Sequence, residues 1–130
     1  MKLKVIFGIL AVLSLLQCSG GSAPTSQART LPSGRTIQVL GVGTINFPEG
    51  GPALMLKYET GIDMKDRAAL RQEADEIWVE FQAEAERANV ASAILSANSK
   101  PQGALIQQAQ GYNFVFEKDS TGVWKCLDDK

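Results

Sequence analysis

The stretch DMKDRAALRQEADEIWVEFQAEAERAN, residues 63–89, decides how the rest of the chain must be arranged. Leu70, Ala74, Ile77, Trp78, Phe81, Ala85 and Ala88 recur in it at steps of three and four. At about 100° per residue they fall in one stripe roughly 100° wide, the width a helix needs to lie on a sheet. Asp63 suits the N-cap and Asp66 adds a second carboxylate in the first turn, where the helix dipole favours negative charge. Asn89 suits a left-handed exit at the far end. One long amphipathic helix is therefore expected from Asp63 to Asn89.

The flanking segments read as the sheet beneath it. Residues 35–47 are rich in β-branched side chains, with Ile37 and Val39, then Leu40 and Val42, then Ile45 and Phe47. The apolar phase slips at Leu40, so Gly41 and Gly43 predict a bulge or sharp twist in one long strand. Residues 48–52 are a turn by composition, and 53–60 return as a strand with Leu54, Leu56 and Tyr58 on one face. After the helix, residues 90–98 read as a strand whose small side chains could lie under it. Residues 104–108 predict a short strand, 112–118 the strongest strand of the chain, and 123–127 the last. Tyr112, Phe114 and Phe116 share a face and are expected to pack against Trp78 and Phe81. The order β-β-α-β-β-β predicts an α+β fold, an antiparallel sheet of about five strands with one helix packed on one face.

Ahead of this lies a different kind of sequence. Lys2 and Lys4 precede twelve residues, Val5 to Leu16, that are apolar almost throughout. The run is too short to span a bilayer, and its basic start and abrupt end are those of a secretory signal peptide. Leu15-Leu16-Gln17-Cys18 then resembles the lipobox of bacterial lipoproteins, in which the cysteine is acylated and becomes the new N-terminus. Gln17 stands where that pattern has Gly, Ala or Ser. The alternatives are ordinary cleavage nearby, or a disulfide between Cys18 and Cys126, the two cysteines of the chain. Residues up to Gly34 are mostly Ser, Gly, Ala, Pro, Thr and Gln and read as a flexible tether. The expected division is a signal peptide over 1–17, an anchor cysteine and tether over 18–34, and a single small domain over 35–130.

Composition narrows the chemistry. The chain of 130 residues contains no histidine, which removes the commonest general base and the commonest zinc ligand. Without Lys2 and Lys4 there remain 11 basic against 14 acidic side chains, so no basic excess exists to hold a phosphate backbone, and nucleic acid is not an expected partner. The Gly41-Val42-Gly43 run lacks the third glycine and the lysine of nucleotide-binding loops. Glu73, Glu76, Glu80 and Glu84 form an acidic row beside the apolar stripe, with only Arg87 on that face to relieve it. The row reads as a solvated face eased by lysines such as Lys57 or Lys118, or as a docking edge for a basic partner or, less readily, a weak cation site. Evenly spaced helix carboxylates supply no cage for a metal ion. No cofactor, small-molecule substrate or catalytic pair is expected.

Leu56-Lys-Tyr-Glu-Thr60, Glu76-Ile-Trp78 with Phe81, Ala97-Asn98 and Gly111-Tyr-Asn-Phe-Val-Phe116 together resemble a family of small exported bacterial proteins without a characterised activity. The resemblance covers about residues 53–125 and implies a shared fold. The functional expectation is a non-catalytic cell-envelope lipoprotein, held on a membrane through Cys18. It would bind another envelope protein through the acidic edge or through the sheet face away from the helix. The alternative is a small periplasmic inhibitor or immunity protein that plugs a cationic enzyme.

Overall fold

The amphipathic stretch folds as helix α1, Arg67–Arg87, in the computed structural model of the chain, which describes residues 26–101, 103 and 110–128. The signal segment, Cys18, the first part of the expected tether and the strand expected over 104–108 lie outside the described residues. The strands are β1 (Gln27–Thr30), β2 (Thr36–Phe47), β3 (Gly51–Thr60), β4 (Ser92–Ser99), β5 (Gly111–Lys118) and β6 (Trp124–Cys126). Among the described residues they form one six-stranded sheet whose spatial order follows the chain order.

Among the described residues the fold is α+β with one helix and a mostly antiparallel sheet, and two details of the sheet differ from the sequence expectation. β3 and β4 are parallel, from Ala53↔Ser92 to Thr60↔Ser99. The reason is length. A helix of 21 residues carries the chain back about 32 Å, so the next strand starts at the end where β3 started. The second difference is β1, which lies within the stretch read as tether. It pairs antiparallel with the first residues of β2, Gln27↔Val39 to Thr30↔Thr36. Its Gln-Ala-Arg-Thr sequence has no apolar alternation because an edge strand can be held by backbone pairing alone. Leu31, directly after it, is buried in the core beside Ile37 and Val39.

The helix start also shifts. Asp66, rather than Asp63, is the N-cap, its side chain accepting from the Ala69 N–H at 3.1 Å. Asp63 closes the preceding turn instead, accepting from the Lys65 N–H at 2.9 Å through Oδ1 and from the Asp66 N–H through its carbonyl. Between the two, Met64 packs on the core. At the other end Asn89 takes the left-handed conformation, φ 54°, as its position predicts. Ala88 is exposed at the C-cap rather than part of the buried stripe.

Leu70, Ala74, Ile77, Phe81 and Ala85 are buried against the sheet. The small side chains Ala93 and Ala97 flank Leu95 in the same core cluster. Full burial of a side chain such as Phe81 or Leu70 stabilises by about 1.5–3 kcal/mol each. Trp78 stacks on Phe116 with centroids 4.1 Å apart and meets Trp124 edge-on at 5.2 Å. The aromatic row of β5 is thus occupied by packing against the helix. The ladder of β2 with β3 breaks once, between Val39 and Gly41, and then runs in regular register to Phe47↔Gly51. Leu40 is the extra residue, where the sequence phase slips, and Gly43 causes no second break.

Candidate partner-binding surfaces

The four glutamates of the acidic row receive different surroundings. Glu73 lies deepest, at 3% exposure, and accepts from Arg35 Nη1 at 3.2 Å through Oε2. Glu76 accepts from the Ser33 hydroxyl at 2.6 Å, and Glu84 pairs with Arg29 at 3.1 Å. Glu80 is exposed and, among the described residues, has no such partner. All three partners lie on β1 or the turn that follows it. That arm, residues 27–35, lies along the acidic edge and occupies three of its four carboxylates. The lysines expected to relieve the row are elsewhere. Lys118 donates to Glu86 at 2.7 Å, and Lys57 alternates with the core residues Leu56 and Tyr58, which turns it to the opposite sheet face.

Beneath the Arg35–Glu73 pair, the Tyr58 hydroxyl and Glu73 Oε1 are both buried, and neither has a hydrogen-bond partner among the described residues. Burial pushes the Tyr58 phenol up in pKa, and the nearby Glu73 charge adds to it. The fold thus places a phenol and a carboxylate in a buried setting where, among the described residues, Arg35 compensates the charge.

A cleft of about 500 Å³ opens at the carboxyl ends of β3 and β4, lined by Thr60, Gly61, Ile62, Asp63, Ser99 and Lys100 among others. Sequence reading missed it, because it exists only through the parallel crossover. Its hydroxyls are committed to backbone: Thr60 Oγ1 accepts from the Ile62 N–H at 3.1 Å and Ser99 Oγ from the Gln110 N–H at 2.9 Å. The Lys100 side chain is its cationic group.

On the sheet face away from the helix, Gly43, Met55, Ile94 and Val115 stand in one row across four strands. Lys57, Ser96 and Asn113 form the polar row on one side, and Ser92 and Glu117 lie on the other. At the β5–β6 turn, Asp119 Oδ1 accepts from the Thr121 hydroxyl at 2.6 Å and from the Thr121 and Val123 N–H groups. These bonds, the Thr121 hydroxyl first, lower its pKa to about 2. Glu86 is also lowered, first by its bond from Lys118 and then by that from Trp124 Nε1. Cys126 is buried in the core. Among the described residues no three His, Cys, Asp or Glu side chains come together as a metal site would require. A comparison with protein-family models, with curated proteins and with solved structures finds no match to this chain.

Proposed function

We propose that the protein is a non-catalytic, membrane-tethered cell-envelope lipoprotein that serves as a binding or accessory module. The observation that carries this reading is the Leu15-Leu16-Gln17-Cys18 sequence closing a twelve-residue apolar run. The first described strand begins at Gln27, so only eight residues separate it from Cys18. Fully extended, eight residues reach about 26–29 Å. An acyl group on Cys18 would therefore hold β1 and its end of the sheet close to the bilayer, where the partner would be another protein on the same membrane.

The test is the intact mass of the mature protein from membrane and soluble fractions of its host. A chain that begins at Cys18 and carries acyl mass, with a Cys18→Ser variant leaving the membrane fraction, is the expected result. An unmodified chain in the soluble fraction would overturn the lipoprotein reading and bring forward the diffusible inhibitor of a cationic enzyme.

A further inference from the structure

β1 pairs with only the first four residues of β2, Thr36 to Val39. Past the bulge, the outer edge of β2 over residues 40–47, Leu-Gly-Val-Gly-Thr-Ile-Asn-Phe, has no strand beside it among the described residues. The stretch contains no charge and no proline, the two devices that usually keep a sheet edge from pairing with another chain. Val42 and Phe47 stay 46% and 43% exposed. Gly41 follows the bulge, but nothing in the backbone of the described residues requires it or Gly43 to be glycine. Neither takes a positive φ, and a Cβ at either would meet nothing within 4 Å.

We propose that this edge pairs antiparallel with the same edge of a second copy, about a two-fold axis at Thr44. The register argues for a second copy rather than a foreign strand. With Thr44 opposite Thr44 of the second copy, Gly43 stands opposite Ile45 and Gly41 opposite Phe47. Each glycine thereby makes room for a large side chain on the same sheet face, a pairing known to compensate strand glycines. Pro48 falls just past the last pair, and β1 of each copy lies in line with the incoming strand rather than across it. The interface is isologous and closed, and it joins two six-stranded sheets into one. It does not depend on the membrane tether, although two chains anchored on one surface would meet at raised effective concentration.

The test uses the full mature chain carrying Cys18→Ser, studied by sedimentation equilibrium from 1 to about 500 μM, a range set to span the micromolar-to-millimolar affinities of modest interfaces. A monomer–dimer equilibrium is expected. Gly43→Lys, which the chain's own packing accommodates, should weaken it at least tenfold, whereas Val79→Lys on the exposed helix face should leave it unchanged. Thr44→Cys should give a dimer linked through residue 44 on mild oxidation, because directly opposed strand residues lie within disulfide reach. A monomer throughout with no such link would overturn the proposal, as would a dimer indifferent to Gly43→Lys or an open-ended polymer. Strong hydrogen-exchange protection of residues 40–47 in a monomer would also overturn it, by showing that the chain covers its own edge.

Discussion

Replacing Arg35 with methionine should destabilise this fold far more than its position on a surface turn suggests. The Arg35 side chain is 48% exposed, but the carboxylate that it compensates, Glu73, is only 3% exposed, and Glu73 Oε1 has no hydrogen-bond partner among the described residues. Breaking a fully buried pair costs about 3–5 kcal/mol, because one charge is left uncompensated. An exposed pair is worth about 0.2–1 kcal/mol. With one partner buried and the other half in water, the expected loss lies between these limits, near 2 kcal/mol. At a urea slope of about 1.5 kcal/mol/M for a domain of this size, that moves the denaturation midpoint down by about 1.3 M. Lys125→Met, which removes the exposed pair with Asp119 at 3.5 Å, is the comparison, and should shift it by less than about 0.5 M. Adding Glu73→Gln to Arg35→Met should recover most of the loss, since the uncompensated charge goes with the carboxylate. The reasoning fails if Arg35→Met and Lys125→Met shift the midpoint equally, or if the double variant is no better than Arg35→Met alone.

Asp119 should make stability pH-dependent in the acid range. Its folded pKa of about 2 lies below the ordinary aspartate value of about 3.9, so its contribution is complete above about pH 4 and is lost as pH falls toward 2. Urea midpoints of the wild type and Asp119→Asn should therefore differ at pH 5 and converge near pH 2. Asp66→Ala removes the cap on the Ala69 N–H and should cost about 1 kcal/mol, whereas Asp63→Ala should leave the helix start in place, as amide exchange in residues 67–70 would report. Phe81→Ala empties a fully buried site under the helix and should cost about 3–5 kcal/mol by denaturant melting.

Periodicity made most of the architecture legible. The Leu70–Ala85 stripe, the strands of residues 53–60 and 112–118 and the left-handed Asn89 are local signals, and local chemistry realises them. The helix start was misread by three residues because two equivalent carboxylates, Asp63 and Asp66, compete for it. β1 was illegible, as backbone pairing at an edge leaves no hydropathy pattern. The acidic row was visible but its partners were not: Arg35 reaches Glu73 across 38 residues of sequence, and no spacing rule links them. The cleft at Thr60 and Ser99 is a product of the parallel crossover and has no signature of its own.

That crossover also sets the order in which the sheet can assemble. Every other neighbouring pair of described strands joins segments adjacent in the chain, whereas β3 finds β4 only after the whole helix lies between them. Ala53 meets Ser92 across 39 residues, about three doublings of a five-residue hairpin loop, at an extra closure cost near 2 kcal/mol. The hairpin of β2 and β3 can therefore form early, while docking of α1 and alignment of Leu56 with Leu95 form the entropic bottleneck. A substitution at that junction should slow refolding, whereas one in β6 should mainly speed unfolding.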